Sequence, residues 1–484
     1  MRRYVVRAAV FLAVLVTWAD IPTAQDKARM VDALLASYHD AGLFNGAALV
    51  SDGGKVMLKK GYGLADFEWK IPNTPDTKFR IGSITKQFTA TVIMQLVEEK
   101  KLSLDATLSS VLPYYRADTG SKITVHHLLT HTSGIPSYTG LPNFMRDVSR
   151  DPYGVREFVE KYCSGDLEFE PGSRFLYNNS GYFLLGAIIE AVTNKPYAQA
   201  LRERVFDPLG MAASGYDLSV PILEKRAHGY ESGLAGVRNA DYLDMGLPYA
   251  AGSLYSTVED LYIWDQALYG EKVLPSKAKE RMFTPGLGNY GFGWFIEKRS
   301  IGVDKAERLT IGHGGGINGF STQITRLPED RHLVVLFNNT GGTGLAAITA
   351  GILDILYGRT PPPARRPIGT LLYDTVQKSG AQAAVAQYRE IQTRNASAYD
   401  LSVGHLNRLA VELLEQKRAS DAIEIAKLSV EVVPKNANLL NTLARAYREA
   451  GQKGLAIQTY ESVLQVDANN RNATESLKEL KRPE

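Results

Sequence analysis

A serine stands three residues before a lysine in the stretch "KFRIGSITKQFTATVIMQLVEEKKLSLD". Ile84, Phe88, Val92 and Leu96 recur every four residues, and Ala90, Ile93 and Val97 fill a second face, which predicts a helix buried on most sides. Ser83 opens that pattern, where its hydroxyl could act simply as a helix cap. Lys86 falls one turn later on the same face. A lysine at the mouth of a buried helix is costly unless it is paired or neutral. Burial lowers its pKa, so it can take the serine proton, while the helix N-terminus favours negative charge growing at Ser83. Ser-x-x-Lys alone is a common chance pattern, so its context decides.

Two further stretches supply context. In "EPGSRFLYNNSGYFLLGAIIE", Tyr177 and Asn179 form a polar patch between the turn-forming Pro171-Gly172 and the apolar helical run Tyr182 to Ile189. A tyrosine and an amide on such a loop can shuttle a proton and hold a carbonyl; a core tyrosine beside an Asn-capped helix is the plainer reading. In "RLTIGHGGGINGFSTQITRLPEDRHLVVLFNNT", Gly314-x-Gly316-x-x-Gly319 fits a dinucleotide fingerprint, which demands a helix directly afterwards. Instead "FSTQITRL" alternates like a strand and "PED" turns it into "HLVVLFNN", so an antiparallel hairpin is expected and the dinucleotide reading fails. The glycines then let a substrate lie against an exposed strand edge with backbone N–H groups facing it.

Ser83-x-x-Lys86, Tyr177-x-Asn179 and His313-x-Gly315, in that order, resemble the serine β-lactamase and penicillin-binding-protein superfamily, most of all the class C β-lactamase-like serine hydrolases. "LLTHTSGI", "VFDPLGM", "AAGSLYSTVEDLYIW" and "YGFGW" resemble that group too, over roughly Met30 to Tyr357. The resemblance implies an α+β fold of the β-lactamase/transpeptidase type. An antiparallel sheet, including the hairpin "GAALVSDGGKVMLKKGYG", is flanked by helices, and a helical subdomain carries Tyr177. It also implies acyl transfer through an acyl-enzyme on Ser83, with Lys86 or an ionised Tyr177 as base. The oxyanion would sit between the backbone N–H groups of Ser83 and Gly316, with Asn179, His313, Gly315 and Gly316 meeting the substrate. Relatives that open β-lactams carry lysine where this chain has His313, a residue mostly neutral at pH 7. An ester or a D-amino-acid-containing peptide or amide is therefore the expected substrate, with weak β-lactamase activity at most. A catalytically silent module that senses a peptidoglycan-like ligand is the alternative. Retention of Ser83, Lys86 and Tyr177 together favours an enzyme.

The rest of the chain is arranged around that region. With 484 residues, two or three domains are expected. The start "MRRYVVRAAVFLAVLVTWADIPTAQ" has a basic head and an apolar run of 11 residues, the form of a signal peptide over residues 1–24. A secreted or periplasmic protein with no integral membrane segment after cleavage follows. Cys163 is the only cysteine, which excludes an intrachain disulfide and a zinc-thiolate cluster. Net charge of +3 gives no argument for nucleic acid, and none is expected as a partner. His127 and His131 in "HHLLTH" have helical metal spacing but no adjacent Glu, and His131 falls in the "THTSG" turn, so they read as structural; no metal or other cofactor is assigned.

The hydrolase-like region is expected over 25–358, a Pro-rich linker over 359–369 within "YGRTPPPARRPIG", and a helical domain over 370–484. In that tail Leu406, Leu409, Ala410, Leu413, Ala422 and Ala426 recur 34 residues later as Leu440, Leu443, Ala444, Tyr447, Ala456 and Tyr460. This resembles the tetratricopeptide repeat, whose small residues let paired helices pack closely. "TLLYDTVQKSGAQAAVAQYREI" should add a further helical pair. Such stacks bind peptides or proteins, so a protein partner is a possible use of the tail.

Overall fold

The computed structural model describes residues 23–482. The expected leader lies outside the described residues except for Thr23 and Ala24. Thr23 caps and Ala24 opens helix α1 (Ala24–Asp40), with Thr23 and Asp26 exchanging a reciprocal capping box. No helix among the described residues is long and apolar enough to cross a membrane.

A six-stranded antiparallel sheet forms the centre. It comprises β1 (Gly46–Asp52), β2 (Lys55–Tyr62), β3 (Phe295–Ile301), β4 (Ala306–Ile317), β5 (Phe320–Leu327) and β6 (His332–Asn338), in the order β3-β4-β5-β6-β1-β2. The N-terminal hairpin and the hairpins around His313 are both present as the alternation predicts. β1 and β6 are buried on both faces, and their side chains alternate between two cores. Ala48, Val50, Val334 and Leu336 pack towards α1 and α5 (Ala346–Leu356). Ala47, Leu49, Val335 and Phe337 face the larger core of α2 (Thr85–Glu98), α3 (Asn179–Thr193) and α4 (Val258–Ala267). Every residue of α2 from Thr85 to Met94 is buried, as its sequence pattern requires. The Trp264 indole of α4 donates to Gln87 Oε1 at 3.0 Å, and Asp265 forms a fully buried ion pair with Arg326 of β5 at 2.7 Å. α2 is thereby held from the helical side as well as from the sheet.

Shorter helices, among them Val155–Tyr162 and Ser276–Met282, complete the helical side, and among the described residues seven more α-helices follow the proline-rich segment. These seven are α6 (Ile368–Ser379), α7 (Ala381–Arg394), α8 (Val403–Glu415), α9 (Ala419–Val432), α10 (Ala437–Glu449), α11 (Lys453–Val466) and α12 (Arg471–Leu480). α6 begins inside the segment expected to be linker, because Pro367 precedes its first turn and Ile368 and Gly369 are already buried in the tail. α8 and α10 start 34 residues apart, at Val403 and Ala437, and so do α9 and α11, at Ala419 and Lys453. All twelve repeat positions are buried. The tail meets the sheet region through a hairpin of strands Tyr230–Gly233 and Gly236–Asn239. Its tip residue Leu234 inserts among Ile368, Leu372, Leu406 and Leu409, while Arg408 donates to the Ser232 carbonyl.

Candidate active site

Ser83 does not lie in α2 itself. It occupies a single 3₁₀ turn, Gly82–Ile84, immediately before the helix, and its side chain makes no helix-capping hydrogen bond. Gly82 has φ +51°, and a Cβ there would stand 2.9 Å from Gly316 N. Gly315 lies equally close to the turn: a Cβ on it would approach the Ile81 carbonyl oxygen to 2.0 Å. Thr322 of β5 completes the contact, its hydroxyl donating to the Ile81 carbonyl at 2.9 Å. The serine turn is thus pinned to the end of β4 by backbone-to-backbone contact that only glycine allows.

β4 is an internal strand, not the exposed edge expected from its glycines. Pairing with β3 stops at Gly312 opposite Phe295, however, so His313 to Ile317 bond to β5 on one side only. That unpaired stretch faces the serine turn.

Lys86 is fully buried, one turn into α2. Its Nζ lies 3.0 Å from Ser83 Oγ, 2.9 Å from Asn179 Oδ1 and 2.8 Å from the Ala251 carbonyl. Burial holds its pKa well below that of an ordinary lysine, and no carboxylate lies beside it to oppose the shift. The three oxygens match the three N–H donors of an ammonium; once a proton is lost, the amine can keep its bonds to Asn179 and Ala251 and turn its lone pair to the serine hydroxyl. Asn179 is the first residue of α3 and not part of a loop, and Asn178 caps the helix by accepting from Gly181 N–H at 3.0 Å. The Asn179 amide also donates to Thr139 Oγ1 at 3.2 Å.

Tyr177 is half-buried beside Lys86, whose Nζ stands 4.9 Å from its ring centre, and its hydroxyl is enclosed. Burial pushes its phenol well above the ordinary value, and the Ser83 hydroxyl opposes this only weakly from beyond hydrogen-bond distance. Tyr177 is a neutral phenol with an unpartnered hydroxyl. His131 supports it from behind, 4.3 Å between ring centres, and its Nδ1 accepts from Asn178 N–H at 3.0 Å. The residue read as structural therefore positions the whole Tyr177–Asn179 segment. His127 engages the backbone N–H of Thr124 instead, at 3.2 Å, so the two histidines do not converge on one point.

His313, expected to meet the substrate, is buried and engaged at both ring nitrogens. Its Nδ1 lies 2.6 Å from the Gly314 carbonyl, which can only accept, and its Nε2 lies 3.1 Å from the Tyr290 hydroxyl. Both ring nitrogens are used. Desolvation, the largest cause, holds its pKa well below the usual imidazole value, so it offers no cation. A cavity of about 150 Å³ opens at Ser83, lined by Asn179 and Gly316 but not by His313 or Gly315. Gly315 packs against the serine turn, and His313 backs the aromatic wall formed with Tyr177 and Tyr290. Two participants were not predicted as site residues: the Ala251 carbonyl and Tyr290. A backbone carbonyl has no side-chain signature, although both residues sit in stretches that resemble the family.

The beta-lactamase family model matches residues 28–357. The chain belongs to that family. It is similar to the teichoic acid D-alanine hydrolase of Staphylococcus aureus, 29% identical over 332 residues, which span 67% of this chain and 77% of that protein. Among solved structures it resembles a penicillin-binding protein from Bacillus halodurans (30% identity, TM-score 0.58, covering 66% of this chain and 98% of that one). A D-stereospecific amidohydrolase from Streptomyces is similar to the same extent (28% identity, TM-score 0.58, 68% and 98%). The chain is accordingly a serine hydrolase of the β-lactamase fold, with an all-helical C-terminal part beyond the matched region.

Proposed function

We propose that the protein cleaves an ester or a D-amino-acid-containing peptide or amide through an acyl-enzyme on Ser83. The observation that carries this is the contact set of Lys86 Nζ, which leaves a desolvated amine facing a serine hydroxyl. Ser83 Oγ attacks the carbonyl carbon while its proton passes to Lys86 Nζ. The negative charge formed on the carbonyl oxygen is met by the backbone N–H groups of Ser83 and Gly316, which the Gly82 contact brings together. The bond to the leaving oxygen or nitrogen then breaks, and that atom takes the proton from Lys86. Water enters, gives a proton to Lys86 and bonds to the acyl carbon; the bond from that carbon to Ser83 Oγ breaks, Lys86 returns the proton to Oγ, and the acid leaves. Tyr177 remains a phenol throughout and can relay the proton to the leaving group, which favours Lys86 over Tyr177 as the base. The Tyr177-x-Asn179 pair, carried at the head of α3, supports the class C-like subgroup. The loss of a cation at position 313 argues against efficient β-lactamase activity.

The proposed organisation is a leader over 1–24, a hydrolase domain over 25–358, a connector that begins at 359 and ends where α6 starts at Ile368, and a tetratricopeptide-like domain from there on. The basic and apolar start supports export to the periplasm or cell surface, and the 34-residue helix spacing supports the repeat reading and a protein partner for it. Intact-mass spectrometry with a fluorophosphonate probe tests the chemistry. One adduct is expected, absent in Ser83→Ala. No adduct on folded protein would remove the hydrolase reading.

A further inference from the structure

We infer that the acyl group accepted by Ser83 carries no charge next to its reacting carbonyl: neither the free ammonium of an unblocked amino acid nor a carboxylate. This rests on the acyl-transfer reading above and narrows its substrate.

The wall of the Ser83 cavity is supplied by Tyr138, Phe144, Met145, Leu243, Leu247 and Ile317. Its polar side chains, Ser83, Thr139, Asn179 and Asn318, are uncharged groups, and among the described residues no Asp, Glu, Lys, Arg or His lines it. Charged residues nearby in sequence or space are engaged elsewhere. Arg146 and Asp147 pair with each other on the exposed side of Met145. Glu231 accepts from Gly319 N–H at 2.9 Å, Asp244 accepts from Gly246 N–H at 2.8 Å, and Asp241 meets the cavity residue Asn318 only through its backbone carbonyl, at 2.9 Å. Lys86 spends its N–H groups on Asn179 and Ala251 behind the serine. A substrate ion entering this cavity gives up water and gains no counter-charge, which disfavours it strongly. A branched or linear aliphatic acyl group, or an amino acid whose nitrogen is already acylated, loses nothing of the kind and gains apolar contact.

Three phenyl esters separate these cases because their acyl groups are near-isosteres: isobutyrate, D-alaninate and the methylmalonate monoester. They differ in one substituent, CH₃, NH₃⁺ or CO₂⁻. Each kcat/KM is measured on the full chain at a pH where the amine is protonated, and divided by the spontaneous hydrolysis rate of the same ester. The isobutyrate is expected to lead both ions by roughly tenfold or more, mainly through KM. Met145 is about half exposed, at 49%, so Met145→Asp adds a carboxylate at the rim without opening the core. It should narrow the deficit of the D-alaninate about tenfold and leave that of the methylmalonate. Preference for D-alaninate in the unaltered protein, or a Met145→Asp ratio that does not move, overturns the inference. Ser83 labelled by fluorophosphonate with no turnover of any of the three esters overturns it too. In each of these outcomes labelling of Ser83 keeps the hydrolase reading standing, whereas its absence removes that reading first.

Discussion

The helical tail and the Ser83 cleft are built from contacts of opposite range. In the tail, Leu406, Leu409, Ala410 and Leu413 on α8 meet Ala422 and Ala426 on α9 within one 34-residue unit, and the next unit repeats the arrangement. In the cleft, Lys86 reaches Asn179 across 93 residues and Ala251 across 165, and Thr322 reaches Ile81 across 241. The tail is a sum of neighbours. The cleft exists only when four distant segments arrive together, so one lost contact there should cost far more function than one lost contact in the tail.

Asn179→Asp is the strongest way to sharpen that contrast. Burial holds the Lys86 pKa well below the usual lysine value, and no acid beside it opposes the shift. A carboxylate in place of the Asn179 amide, 2.9 Å from Nζ, favours the ammonium and raises the lysine pKa. Activity needs the amine, so the rising limb of kcat/KM moves to higher pH. A shift of about two units lowers the rate on the order of 100-fold at any pH below both pKa values, and less above them. Asn179→Ala should reduce the rate without that upward displacement. A limb that stays in place in Asn179→Asp would mean that the ionisation of Lys86 does not govern the rate.

How much of this was legible beforehand divides along the same line. The tail's buried positions followed from period alone, because a local repeat writes its packing into spacing. The hairpin that excluded a dinucleotide fold was readable from alternation, whereas the two-sided burial of β1 and β6 was not. At the cleft, Ser83, Lys86, Tyr177 and Asn179 were legible as types in order, and they do converge. The side of β4 that each glycine turns to the serine was not. His313 was assigned to substrate for its place in a motif, but its direction depends on Tyr290 and on where β3 stops pairing. The proline-rich segment hid the start of α6, since Ile368 and Gly369 become helical only by docking against Leu234 and His405.

Leu234→Ala tests whether the two regions are separable. Leu234 is 5% exposed and inserts into the tail's core from the other region. Removing its branched end should weaken docking by about 2–3 kcal/mol. Trypsin should then cut faster within Arg359–Arg366, while the rate of fluorophosphonate labelling stays within about twofold of the unaltered protein. The same hairpin also holds the turn beside the cleft, through Glu231 and Gly319 N–H at 2.9 Å. Labelling that slows in step with cleavage would break the comparison, because tail docking would then be setting the geometry of the serine site.

The smallest effect separates positions within the tail. Ala410 and Ala444 are equivalent across the repeat and both fully buried. Ala410 on α8 sits in the continuous core between α6 and α10, whereas Ala444 belongs to a smaller cluster closed by the single helix α12 through Ala473 and Leu477. Replacing either by leucine overpacks its site, at a cost of about 1–3 kcal/mol. A terminal helix with neighbours on one side only can move to admit the added carbons, and an internal pair cannot. Ala444→Leu should therefore fall near the low end of that range and Ala410→Leu near the high end, as read by thermal unfolding followed by far-ultraviolet circular dichroism. Ser83 labelling should be unchanged in both. Equal losses would mean that α12 clamps the last repeat as firmly as a full helix pair does, and that the stack's rigidity does not decline towards its end.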